Sequence, residues 1–494
     1  MTKRPASPQS SPVAARSRLR PASPQSAPVP PAAPSAADPT FKMLYVLAII
    51  MIVDGHVGSS DYLDFNGLLR YQNYHIALFM FVSGYFLNLT RGYKEFFVRK
   101  TLRLLVPLYL WNAAYGALCW YLNRHQGFAL GGEFNLYNLL YAPLVDGHQF
   151  IYNMASWFLV PLFLVQAVGF LLLRPFALST AARTVQAPST APKKSASISS
   201  TAQTTSPYSV SPQPSTHKTK NTPPQLAASQ SIPIAARIFP SAARRTALTP
   251  SARPQPGSFF LPAIIFFVLS LALGCFALAY APENHGARTL ALTALRTLYF
   301  MPAFAFGFLY RHVLAKYDTV ATPLYLFIVL AALTCLTQKF PGYNHIPSWL
   351  DTVNAPAPAI YAISLLAVLF WLRVARVLSP LLAQSRPLQY IANHTFDIMM
   401  HHFAGFMLAK ALFLPFISAP AAQFPSAAAA PLAPRADTAA ALARIKSDIW
   451  YYPFPESGEA SAWLYIAISI VIALTAGFTT RKIYAIISRK LSHF

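Results

Sequence analysis

Long apolar runs separated by short polar stretches dominate the chain. Segments 43–58, 75–90, 104–122, 154–173, 258–280, 290–310, 321–337, 357–374, 389–415 and 462–480 are apolar with few charges. Most approach or exceed roughly 18 residues, enough to cross about 30 Å of hydrocarbon at 1.5 Å per residue. The pattern predicts an all-α fold, a polytopic transmembrane helical bundle of about ten spans. The first segment is short and holds Asp54 and His56, so it spans only if polar groups are tolerated near one end.

Two stretches break the pattern. Residues 1–40 are rich in Pro, Ser and Ala with scattered Arg, and RPASPQSSPV from Arg4 is echoed as RPASPQSAPV from Arg20. Residues 175–257 have the same composition. Such tracts cannot bury enough apolar surface to offset their conformational entropy, so both are expected to be disordered. The division is then a basic tail (1–40), a membrane domain of four helices (41–174) and a basic linker (175–257). Six further helices follow (258–494), with a loop over 417–460.

Composition agrees with the pattern. The 494 residues are 55% hydrophobic and 11% charged, with mean hydropathy +0.40, against about 25% charged in a soluble domain. Cys119, Cys275 and Cys335 each lie in an apolar run without metal or disulfide spacing, and read as small apolar fillers. Basic residues set the orientation, because Lys and Arg accumulate on the cytoplasmic side. With the N-terminus inside, 30 of the 39 Lys and Arg fall in cytoplasmic segments, whereas 10 of the 15 Asp and Glu fall outside. Both termini are expected in the cytoplasm and the protein in the cell (inner) membrane. The net charge of +24 then calls for anionic lipid headgroups rather than nucleic acid.

Ionisable residues inside a bilayer cost roughly 2.5–3.5 kcal/mol each on insertion scales, so each is a functional candidate. Asp54 and His56 close the first segment; two residues apart on a helix is about 200°, so they share no face unless Gly55 loosens the turn. His75 opens the second segment, at the membrane depth expected of His56, and Ser83-Gly84-Tyr85 follows. Small residues such as Ser83 and Gly84 let membrane helices approach closely. Arg99, Lys100 and Arg103 precede the third segment, where they anchor it in the cytoplasm or clamp a phosphorylated donor. Asn393-His394-Thr-Phe-Asp397-Ile-Met-Met-His401-His402 lies in the ninth. There Asp397 and His401 share a face, a spacing that suits a carboxylate orienting an imidazole, and no Cys or acid cluster supports a metal.

At these places the sequence resembles the acyltransferase 3 family, integral membrane enzymes that O-acylate sugars and related acceptors. Ala48 and His56 fit the family's first helix, and His75 with Ser83-Gly84-Tyr85 fits its second. Arg99 to Pro107 fits the basic opening of the third. Trp157-Phe158-Leu159 with Phe163, and Phe306-Gly307-Phe308-Leu309-Tyr310, resemble later motifs, while His402 matches a late histidine. The 393–402 run is closest to the polysaccharide O-acetyltransferase branch. Two features depart from the family pattern. Tyr45 stands where an arginine is usual, and the linker at 175–257 is an insertion.

The resemblance implies transfer of an acetyl or similar short acyl group from cytosolic acyl-CoA, most simply acetyl-CoA, to a hydroxyl of an outer-face glycan or glycolipid. His56 is the expected base or transient acyl carrier, with Asp54 beside it. Arg99, Lys100 and Arg103 are expected to hold the CoA phosphates. His75, His402 and Tyr85 are expected to orient the acceptor or stabilise the oxyanion, and Ser83, Trp157, Asp397 and His401 to contribute to substrate binding. No metal is implied. A flippase for a glycan intermediate would use similar intramembrane histidines, and a non-catalytic scaffold would work through its linker.

Overall fold

The computed structural model describes residues 38–57, 65, 67–186, 259–281, 289–416, 434–453 and 459–491. Nearly all of the expected tail, most of the expected linker and part of loop 417–460 lie outside the described residues. The rest is a helical membrane bundle. Among the described residues, six helices are long and apolar enough to cross a membrane: 151–179, 260–280, 290–317, 322–339, 357–384 and 462–482. The other four predicted segments are also largely helical, in shorter or interrupted form.

The first helix, α1 (Pro39–Gly55), has apolar residues on every side and ten buried positions, the signature of a helix at the centre of a bundle. It packs on α2 (His75–Tyr85), α10 (Ala357–Gln384) and α12 (Thr395–Phe413). Two backbone bonds, His56 N–H to Val53 O and Val57 N–H to Asp54 O, tighten its last turn. A peripheral helix has the opposite pattern. Along α9 (Thr322–Lys339), Leu324, Phe327 and Ile328 are exposed and only Val329 and Leu333 are buried. Such an apolar outer surface is stable against lipid.

Two helices cross at unusually short range. α2 lies against α8 (Leu290–Leu309), with Gly84 pressed on the Phe304 carbonyl and Gly307 on the Phe81 carbonyl. Any β-carbon at either glycine would overlap backbone. These small residues therefore set the spacing of the pair.

The approach to the predicted third span is distorted, and the predicted ninth span is interrupted. α3 (Tyr93–Lys100) leads into a wide i→i+5 turn over Thr101–Leu105 before α4 (Val106–Gln126). The expected span 389–415 is two helices, α11 (Arg386–Asn393) and α12, that meet at His394. The chain then passes through α13 (Pro434–Ser447) to α14 (Glu459–Leu491), which packs along α12 with Gly405 against the Ser469 backbone. The helix α6 (Leu159–Gln186), preceded by the short α5 (Ala142–Val145) and a tight turn over Ile151–Phe158, continues well past residue 175. α7 (Phe260–Tyr280) follows the undescribed stretch and packs on α8. A short hairpin of β1 (Asn344–Ile346) and β2 (Asp351–Val353) connects α9 to α10.

Buried charge fastens these helices where they meet. Asp318 accepts hydrogen bonds from Arg373, Tyr310 and Arg376, the last at 2.9 Å, which ties the end of α8 and the second half of α10 to the turn before α9.

Candidate active site

Two histidines 346 positions apart in the chain lie side by side. His56, one residue beyond α1, and His402, inside α12, have ring centroids 5.3 Å apart. Local backbone fixes the chemistry of each ring. The His56 Nδ1 lies 2.6 Å from the Ile52 carbonyl oxygen. A carbonyl only accepts, so Nδ1 carries the proton and Nε2 keeps its lone pair. His402 repeats the arrangement, with Nδ1 at 2.8 Å from Met399 O and 3.1 Å from Ile398 O. Its Nε2 is buried and has no hydrogen-bond partner among the described residues. Two imidazole lone pairs are thus presented in one small region.

An aromatic wall surrounds the pair. Phe403 lies 5.0 Å from the His56 ring, and the Trp450 indole lies nearly parallel to it at 6.3 Å. Tyr452 donates its hydroxyl proton to the His56 carbonyl oxygen and packs on Phe406. Lys410, 1% exposed on α12, donates to the Ile449 carbonyl and sits 4.0 Å above the Tyr452 ring. The segment 449–452 is thereby strapped across the histidines. Lys410 was visible in the sequence as a cation in an apolar span, but its target, 39 positions away, was not.

The other expected residues fall in different surroundings. Asp54 is buried in the last turn of α1, and His75 is buried at the start of α2. Tyr85 sits at the opposite end of α1 from His56, with its ring 4.2 Å from Phe41 and its carbonyl accepting from Arg311 at 2.9 Å. Ser83 accepts from Gln166 beside it. Trp157 is 9% exposed. The buried guanidinium of Arg296 lies over its indole at 4.9 Å and donates to Asp146 O and Ser348 O. Next to this stack, His148 bonds the Asp146 carboxylate at 3.0 Å, and burial lowers its pKa below the usual imidazole value.

The expected pairing of Asp397 with His401 is not what forms. Asp397 accepts from Arg481 of α14 and lies 3.1 Å from the His394 Nδ1. His401 points toward α4, where its Nδ1 meets the Tyr115 hydroxyl at 2.6 Å and Trp111 packs edge-on. The four-residue spacing was real, but α14 and α4 each offered a better partner. Asp397 therefore reads as a tie between helices. Asp397→Asn should cost about 1.5–3 kcal/mol of stability, the worth of a hydrogen bond to a charged group. Thermal unfolding of the extracted protein should show that loss, while activity per folded molecule stays at the wild-type level.

The basic group divides as well. Arg99 is exposed and paired with Glu95 at 3.1 Å. Lys100 is half-buried over Phe96, and burial, with Arg103 and Arg91 adding to it, pushes its pKa down to about 8. Arg103 lies in the wide turn, within electrostatic range of Tyr45. A cation therefore stands beside the position where the family pattern has arginine.

Residues 43–185 match the family model described as an acyltransferase domain. The chain carries an acyltransferase 3 family domain. It is a membrane acyltransferase. The match includes His56, His75, Ser83 to Tyr85, the Arg99 group and Trp157, and it ends within α6. No curated protein and no solved structure matches the chain. His402, Lys410 and Trp450 lie beyond the matched acyltransferase segment, and their place beside His56 comes from the fold alone.

Proposed function

We propose that this acyltransferase moves an acetyl or similar short acyl group from cytosolic acyl-CoA to a hydroxyl of a glycan or glycolipid on the outer face of the cell membrane. Both chain termini are then cytoplasmic. The observation that carries this reading is the His56–His402 pair, whose local hydrogen bonds leave two imidazole nitrogens able to take a proton. A thioester is already activated, so the protein must supply a base, hold the donor and admit the acceptor.

In the proposed step the acceptor hydroxyl approaches the thioester carbonyl carbon, and His56 Nε2 removes its proton as the C–O bond forms. The tetrahedral intermediate then collapses, the C–S bond breaks, and the imidazolium returns the proton to the CoA sulfur. The products are an ester and free CoA. His402 faces the imidazolium with an uncharged ring, so it can share the proton without adding a second charge. His75 and Asp54 line the adjoining ends of α2 and α1 as supporting groups.

The donor clamp is assigned to Lys100 and Arg103, with Arg99 at the rim. Of these, Arg103 comes near Tyr45 of α1, eleven residues before His56. At 1.5 Å per residue that is about 16 Å, a gap suited to the long pantetheine arm of CoA between phosphates held by cations and a thioester at the histidine.

The alternative is a flippase for a glycan intermediate, which has no use for a thioester. Sealed inside-out vesicles containing the protein should bind radiolabelled acetyl-CoA and pass the label to glycan or glycolipid. Glycan movement without acetyl-CoA consumption would favour the flippase.

A further inference from the structure

The strap over the histidines has a specific construction. Asp448 turns the chain after α13, and its carboxylate accepts the Trp450 N–H at 2.9 Å. On one side Ala129, just after α4, donates to the Lys446 carbonyl at 2.9 Å. On the other, Tyr465 of α14 donates to the Pro453 carbonyl. Lys410 and Tyr452 hold the middle from below. The strap is therefore tied to α4, α12 and α14 and to the end of α1. Tyr452 and Pro453 are buried within it.

Trp450 is the exception. It is 46% exposed, yet its indole lies nearly parallel to the His56 ring and edge-on to Phe403 at 6.1 Å. An exposed tryptophan on a membrane protein is usually an interfacial anchor, placed wherever the headgroup layer falls. This one is held by a side-chain-fixed turn beside the candidate base, with an open surface left over. The broad apolar face of an indole suits the C–H face of a pyranose ring, whose hydroxyls project from its edge. Other exposed aromatics also meet an imidazole, Tyr121 at His125 and Tyr390 at His394, but those rings are not the candidate base.

We propose that Trp450 is the platform on which a pyranose ring of the acceptor stacks, so that a ring hydroxyl reaches His56. This rests on the acyltransferase reading above and narrows the acceptor to a glycan whose ring is held by stacking. Lys410 and Asp448 are positioning residues, because they act through the strap.

The test is a kinetic comparison of wild type, Trp450→Leu and Trp450→Tyr, extracted in detergent at equal abundance. Radiolabelled acetyl-CoA is the donor, and solubilised surface polysaccharide from the expressing host is titrated as acceptor. Leucine keeps apolar bulk for an anchor but has no flat face, whereas tyrosine keeps one. The expected result for Trp450→Leu is a rise of about tenfold in KM for polysaccharide, with kcat and acetyl-CoA affinity held. Trp450→Tyr should stay near wild type. Equal KM in Trp450→Leu and wild type overturns the proposal. So does a parallel fall in kcat and acetyl-CoA affinity, which marks Trp450 as a prop for the fold. If wild type itself binds no acetyl-CoA and acylates nothing, the parent reading fails and this one falls with it.

Discussion

Gly84→Ala, and equally Gly307→Ala, is expected to remove most of the folded protein from the membrane. Each new β-carbon would fall on a carbonyl oxygen of the facing helix, Phe304 for Gly84 and Phe81 for Gly307. Backbone cannot swing aside as a flexible side chain can, so α2 and α8 must separate. Overpacking of a well-fitted interior costs about 3 kcal/mol or more at the upper end of its range. Separation would also disturb the aromatic cluster of Phe81, Tyr85, Phe306 and Tyr310 that lines the crossing. Size-exclusion profiles of detergent extracts read the effect directly, as loss of the monodisperse wild-type peak. A full-height peak for either variant would show that the crossing is looser than described. Phe327→Ala, on the lipid-facing side of α9, serves as the control and should keep its peak.

His56→Ala is expected to silence transfer while leaving the protein in the membrane. A positioned general base is worth roughly 10²–10⁴ in rate, and a base that also relays the proton to the leaving group belongs at the upper end. The ring sits beyond the end of α1, and Ile52 O, its partner, is already a helical carbonyl, so truncation removes little that holds the bundle together. His402→Ala should have a smaller effect, because its ring acts on the imidazolium and not on the acceptor. His402→Gln, which keeps a hydrogen-bonding group, should recover part of that loss. The ordering of the three variants separates a base with a supporting partner from two interchangeable ligands.

Much of the fold was legible in the sequence, because a membrane span is a local property. Hydropathy over some twenty residues suffices for α7, α9, α10 and α14, and each lies where the apolar runs placed it. What escaped was decided by partners distant in the chain. Nothing in 389–415 announces a break, yet His394 ends one helix and starts the next. The i,i+4 relation of Asp397 to His401 invited a pairing that Arg481 and Tyr115 pre-empted from two other helices. Tyr85 and His56 both carried family motifs, but α1 holds them at its opposite ends.

The site shows the same division. His56 and His402 were each identifiable as expensive polar residues in apolar surroundings, but their contact depends on how α12 meets the end of α1. Lys410 shows the limit most clearly. Its charge was as conspicuous as any histidine's, and its meaning lay in Ile449 and Tyr452, beyond an undescribed stretch of loop. Trp450 was one of three consecutive aromatics in loop 417–460 until the strap placed it against the base.

The role of His56 is read out by NMR of surface polysaccharide from cells expressing wild type or His56→Ala at equal membrane abundance. Wild type is expected to add O-acetyl signals, and the variant none above background. O-acetyl signals of equal strength in both would contradict that role, because His56 would then be a helix-end residue and the base would lie elsewhere.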